Sequence, residues 1–373
     1  MKTNWDLTVF YKDFDDPEFK DDLARLPKEI DAFTAAIAAP AEDEVEKLVS
    51  LVHQEEALSN LFERLSLMIE LTLSVDANNK AANAAMAPLM RAVMGSSLAS
   101  NAFSRYLASL ENLDAIIDAD DELKARAFAL REAAEDAKHQ LPEALEKPVL
   151  KMQLSGGEAF SQLRDKLDAT LLVDYDGKQI PLSAVRALAY DGDADTRRRA
   201  YEAELASYKK IELPMSFCLN NLKAEGETMA ALKGYKGVLD MALAHSRMDE
   251  KTLEAMWTAI REALPELREY FKAKGRLLGH ENGLPFYDLF APVGQSTRTY
   301  TVEEARALLL DLFGKFCPEM GEMMRTAFDE GWIDIYPREG KSGGAFCSGY
   351  YAKNISRVMT NFAGSASDVS TLA

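Results

Sequence analysis

Residues 332–373 read WIDIYPREGKSGGAFCSGYYAKNISRVMTNFAGSASDVSTLA, a pattern unlike anything before them. Upstream, the chain is written in long charged stretches with helical spacing. From Trp332 onward it turns to short β-like runs rich in glycine and aromatics. Residues 356–362 alternate in the manner of a strand, with Val358, Thr360 and Phe362 on one face. Residues 365–370 then carry helix-starting chemistry, with Ser367 or Asp368 expected to cap the first free amides. Only about one helical turn follows, too short to stand alone because nucleation costs more than one turn returns. The stretch reads as a domain interrupted where its next helix begins, with a frayed tail as the alternative reading.

Working outward, the rest of the chain is expected to be mainly α, a multi-helix array with a small β-hairpin or sheet near the C-terminus. Asp15, Asp16 and Pro17 announce a helix over residues 18–39, with Leu23, Leu26, Ile30 and Phe33 at helical spacing and Pro40 ending it. A second helix is expected over 42–73, carrying Val45, Leu48, Val49 and Val52 on one side, a third over 77–110 and a fourth over 112–140. Short polar breaks join them, which favours an antiparallel array. Residues 169–174 and 179–182 predict a hairpin turning at Asp176-Gly177, with Ser183 capping the next helix. One long helix is expected from Asp193 or Asp195 toward Leu232. Another starts at Asp249, with a kink or break at Pro265. Thr301 and Glu304 form a capping box for a helix reaching about Phe328. Two domains are expected: residues 1–195, with the hairpin near 169–182, and residues 196–373, incomplete at the C-terminus.

Forty-three basic residues against 61 acidic ones give a net charge of −18. That balance argues against binding phosphate backbones or anionic membrane surfaces, both of which need a basic face. Cys218, Cys317 and Cys347 are widely spaced and odd in number, consistent with reduced thiols in a cytoplasmic setting. The N-terminus lacks the apolar core of a signal peptide, and apolar runs such as 33–40 are too short to span a bilayer. A cytoplasmic protein is expected.

Chemistry is sparse. No two of His53, His139, His245 and His280 lie three or four residues apart, and no H-E-x-x-H occurs. His53 with Glu56 reads as a surface pair on one helix. Gly344 and Gly349 have the outer spacing of a phosphate loop, but Tyr350-Tyr351 stands where Lys-Ser/Thr is needed. Cys347 has no base candidate nearby and reads as a small buried residue. The distinctive feature is the glycine-flanked run 341–351. Gly343 and Gly344 would let another backbone approach closely, and an extended run there would offer an open edge for strand addition by a peptide. An ordinary hairpin with a flexible tip fits the same residues.

Tyr336-Pro337-Arg338 followed by Gly340-Lys341-Ser342-Gly343-Gly344-Ala345-Phe346-Cys347 resembles the oligoendopeptidase F branch of the thimet-oligopeptidase-like zinc metallopeptidases. So do Asn361-Phe362 with Gly364, the run from Ser367 to Ala373, Trp5-Asp6-Leu7, residues 15–19, residues 199–203, Gly234-Tyr235-Lys236 and residues 287–292. The resemblance covers essentially the whole chain in order. It implies the N-terminal portion of a clam-like zincin peptidase that hydrolyses short peptides, with zinc in the full-length enzyme. In that family the run ending at Ala373 leads into the H-E-x-x-H helix, so catalytic and metal-binding residues are expected beyond Ala373. This chain alone is expected to bind no zinc and to be inactive. The resemblance also implies that Gly343, Gly344, Ala345 and Phe346 lie along the cleft and pair with the substrate backbone. A non-catalytic helical peptide-binding scaffold and a carboxypeptidase of related fold remain open. Oligomeric state and peptide-length preference are not legible.

Overall fold

A computed structural model of the chain describes residues 1–294, 298–338 and 340–373, with the side chains of Glu143, Ala169 and Ser183 outside the description. The cap expected from Ser183 therefore lies outside the described residues. The helices in order are α1 (Pro17–Ala38), α2 (Glu44–Val75), α3 (Lys80–Ser109), α4 (Leu113–Ala119), α5 (Asp121–Ala125), α6 (Ala127–Asp136), α7 (Glu143–Ser155) and α8 (Gly157–Thr170). A hairpin comes next, β1 (Leu172–Tyr175) and β2 (Lys178–Pro181), then α9 (Leu182–Ala187), α10 (Ala194–Tyr208), α11 (Glu212–Leu232), α12 (Val238–His245) and α13 (Glu250–Leu277). The last part holds α14 (Val302–Phe316), α15 (Pro318–Asp329), β3 (Ile333–Asp334), β4 (Phe346–Tyr350), β5 (Ile355–Met359) and α16 (Ala366–Leu372). The fold is mainly α, with small sheets, as the residue pattern predicts.

Several starts obey their caps. Asp16 accepts from the Glu18 amide ahead of α1, Asp249 from Thr252 ahead of α13, and Thr301 and Glu304 close a reciprocal box on α14. The β1–β2 turn places Asp176 at φ 50° and Gly177 at φ 74°, the left-handed pair that a two-residue hairpin needs.

Other expectations are corrected. The helix expected over 112–140 is three pieces, because Asp120 turns its carboxylate onto the Glu122 and Leu123 amides and starts a new helix there. The helix toward Leu232 is interrupted by a turn over residues 209–211, and the one toward Phe328 is split at Cys317, with Pro318 opening α15. By contrast, α13 runs unbroken through Pro265. The cap of α16 is Ser365, with Asp368 returning the bond to the Ser365 amide. Helices α7 and α8 carry no clear signal in the residue pattern.

The chain forms two compact units: residues 1–137 with 297–373, and residues 138–296. The boundary expected between 195 and 196 falls inside α10, where the backbone is continuous helix. In the first unit, α1, α2 and α3 pack around Leu26, Leu48, Leu51, Leu65, Ile69, Leu89 and Leu107. A second cluster there joins α14 and α15 to the sheet through Val302, Leu309, Phe328, Ile335 and Phe362. Met359 and Phe362 are buried. In the second unit, Leu171, Val173, Leu182, Val185 and Ala200 close a small core between the hairpin, α9 and α10. Among the described residues no helix is long and apolar enough to cross a membrane.

Candidate functional site: an open strand edge

The glycine-rich run is held from below by a buried charge cluster. Asp334, at the end of β3, has a side chain 1% exposed and takes two bonds from the Arg338 guanidinium, at 2.7 and 2.8 Å. The Lys341 ammonium, fully covered, lies 2.6 Å from the same carboxylate and also donates to the Tyr336 carbonyl at 2.8 Å. Burial alone would raise the Asp334 pKa, but the Arg338 and Lys341 hydrogen bonds outweigh it and hold the carboxyl below its usual range. The cluster ties Asp334, Tyr336, Arg338 and Lys341 to one another.

Backbone bonds then fix the residues beside Lys341. The Ala77 amide donates to Gly340 and the Ser342 amide to Ser74, both at the end of α2. The Asn361 amide group donates to the Ser342 and Gly344 carbonyls, each at 2.9 Å. Gly344 sits at φ 80°, a conformation that costs any other L-residue, and nothing of the chain lies within 4 Å of where a Cβ would project from it or from Gly343. Gly343 and Gly344 form the bend, Ala345 links them to the strand, and Phe346 opens β4 with its ring 6.2 Å from that of Trp5. All four are exposed.

The sheet order is β3-β5-β4, so β4 has a strand on one side only. Its register with β5 is antiparallel, pairing Phe346 with Met359, Cys347 with Val358, Ser348 with Arg357, Gly349 with Ser356 and Tyr350 with Ile355. The Val358 amide donates to Trp332 and that of Thr360 to Asp334, so this alternate set on β5 faces β3. Met359, Arg357 and Ile355 therefore face β4 and bond with Phe346, Ser348 and Tyr350. Cys347 and Gly349 are left with N–H and C=O directed away from β5. Among the described residues no backbone group reaches this outer edge. Tyr350 anchors the strand in the core against Phe10, with ring centroids 5.1 Å apart.

Two expectations are overturned, one at this site and one elsewhere, on α2. Cys347 is exposed rather than buried, because it shares the open face of an edge strand with Gly349. His53 and Glu56 do not pair with each other: His53 Nε2 lies 2.6 Å from Glu122 Oε2, and Glu56 bonds Arg126. Sequence reading missed the Asp334–Arg338–Lys341 cluster and the Asn361 clamp. An acid four residues ahead of an arginine was the available signal for the first.

Among the described residues no three or more His, Cys, Asp or Glu side chains gather as metal ligands. His53, His139 and His280 each meet one neighbour through a ring nitrogen: Glu122, the Lys233 carbonyl and Asp288. The residues present do not fit a zinc centre, and no chemical step is derived through one.

The model described as Peptidase family M3 matches residues 187–373, and that described as Oligopeptidase F matches residues 108–172. Oligopeptidase PepF of Bacillus subtilis is 26% identical over 242 residues, 63% of this chain and 36% of that protein. The oligoendopeptidase F homolog of Lactococcus lactis subsp. lactis is 22% identical over 391 residues, 100% of this chain and 62% of that one. The structure of oligoendopeptidase-F from Enterococcus faecium aligns over 84% of this chain and 66% of its own, with 16% identity and a TM-score of 0.61. The chain thus spans between about a third and two thirds of the length of these relatives.

Proposed function

The chain belongs to peptidase family M3, and from that premise we propose that it is the N-terminal portion of a zinc metallo-oligopeptidase that hydrolyses short peptides. Its own contribution is the wall on which the peptide lies. The observation that carries this reading is the outer edge of β4, where Cys347 and Gly349 present backbone donors and acceptors with no partner among the described residues.

A peptide laid along that edge gains main-chain bonds, which give affinity with little demand on side chains. The edge from Ala345 to Gly349 is about 13 Å long at the rise of a strand, enough for about five peptide residues. The bend at Gly343 and Gly344 opens one end of this track, and the Asp334–Arg338–Lys341 cluster keeps it in place. Gly343, Gly344, Ala345 and Phe346 are the proposed entry to it.

In this reading zinc, its ligands and the general base belong to sequence following Ala373, and the 373-residue chain binds peptides without cleaving them. The proposed setting is the cytoplasm. Nucleic acid and membrane are not proposed partners for a chain of net charge −18.

The test is direct. Incubated with a mixed oligopeptide pool, the purified chain should bind short peptides calorimetrically and release no new amino termini. Hydrolysis abolished by a chelator would overturn the inactive assignment. Equal binding of a peptide N-methylated along its backbone would overturn the strand-addition reading. Sequencing the gene past codon 373 separates a peptidase, which continues into H-E-x-x-H, from a binding scaffold, which stops.

A further inference from the structure

The second unit holds a cavity of about 290 Å³ to which no role attaches. Its walls are aromatic: Tyr201 stands 5.6 Å from Phe286 and 6.1 Å from Tyr287, and Tyr190 stands 5.1 Å from Phe290. Tyr190, Phe286 and Phe290 are exposed and form its mouth. At its base lies Arg197, with a side chain only 3% exposed. Its Nε donates to Asp288 Oδ1 at 2.8 Å, and its Nη1 donates to the Asp191 and Gly192 carbonyls at 2.7 and 3.0 Å. Nη2 meets no partner among the described residues, yet it is not a fully enclosed atom. Arg197 is one of the residues that line the cavity.

Asp288 is itself held on its other oxygen by His280 Nε2 at 2.5 Å, so the guanidinium cannot swing away. Arg186, also on the lining, spends Nε on Glu204 and Nη2 on the Tyr208 hydroxyl, leaving Nη1 unused among the described residues. Among the described residues Glu204 is the one carboxylate on the lining, and it already accepts from both Arg186 and Tyr208.

The geometry points to a binding site for a small aromatic carboxylate, its ring between the Tyr and Phe walls and its carboxylate on the free N–H groups of Arg197 and Arg186. A charged acceptor is favoured because hydrogen bonds between ions are about twice as strong as neutral ones. The volume, near the lower bound of ligand pockets, admits one ring and a short chain. A carboxylate-bearing aromatic amino acid and the C-terminal residue of a peptide share this chemistry. The site stands independently of the β4 reading.

Binding of N-acetyl-L-phenylalanine to the full chain, followed by calorimetry, should be saturable at one site. Its amide and N-acetyl-L-leucine should each bind at least about fivefold more weakly, the factor that one ionic bond or one ring contact is worth. Arg186→Gln and Phe290→Ala, both at exposed positions, should weaken the acid by about fivefold while the melting temperature holds. A peptide ending in phenylalanine that competes with the acid identifies a peptide C-terminus as the source, and one that fails to compete leaves the free amino acid. Absence of saturation up to roughly 10 mM, equal binding of acid and amide, or indifference to both variants would overturn the assignment.

Discussion

Asp334 holds the candidate site together from beneath. Its carboxylate is the shared partner of Arg338 and Lys341, and Lys341 is covered completely. Replacing Asp334 with Asn would leave a covered ammonium without its counter-charge, a change that typically costs about 3–5 kcal/mol. Chemical denaturation of Asp334→Asn should show that loss. The pH dependence has a definite sign. The folded pKa of Asp334 lies below its unfolded value, so its stabilisation is present above the ordinary carboxylate range and disappears as pH falls through the folded pKa. Wild-type protein should therefore lose stability in acid, below about pH 4, and Asp334→Asn should lose less across the same interval. An identical acid profile in both proteins would remove Asp334 from the account. Of this cluster, only the Asp334-to-Arg338 spacing was visible in the sequence. Lys341 arrives through a turn whose course depends on α2 and Asn361.

At the scale of the element, β4 makes two kinds of backbone contact, and substitution can separate them. Cys347 points its N–H outward, whereas Ser348 faces Arg357 on β5. Proline removes one donor wherever it is placed, and edge strands tolerate it where that donor faces solvent. Cys347→Pro should keep the fold and weaken peptide binding, while Ser348→Pro should destabilise the sheet itself. Thermal melts paired with peptide titrations distinguish the two, and unaltered peptide binding by Cys347→Pro would dismiss the edge as the site. The glycine run and the strand alternation were readable from residues alone. The choice between a free edge and a covered one was not, because it turns on which distant segments pack beside β4.

At the scale of the whole molecule, α13 carries a run of exposed apolar side chains. Met256, Trp257, Ile260, Leu267, Tyr270, Phe271 and Leu277 are all exposed along its 28 residues. A contiguous apolar stripe of that length promotes association in water. Sedimentation should show concentration-dependent self-association of the 373-residue chain, strengthened by sulfate, which enhances burial, and reduced by Trp257→Lys or Phe271→Lys. Strictly monomeric behaviour at high concentration and high sulfate would contradict this. Sequence periodicity predicts that α13 is amphipathic, but not whether its stripe finds a partner within the chain.

The sequence by itself determined the helical class, the caps of α1, α13 and α14, the Asp176-Gly177 hairpin and the glycine run. Each of these is a local matter, settled by spacing, capping side chains and left-handed turn residues within a few positions. The tertiary structure alone decided which partner each charge takes, which side of β4 is free, and that Arg197 lines an aromatic cavity with both Nη2 hydrogens unbonded among the described residues. Those depend on residues far apart in the chain, such as Arg197 with Asp288 or Ser342 with Ser74. A buried polar group must be satisfied by whatever packing brings near it, and one-dimensional order does not contain that proximity.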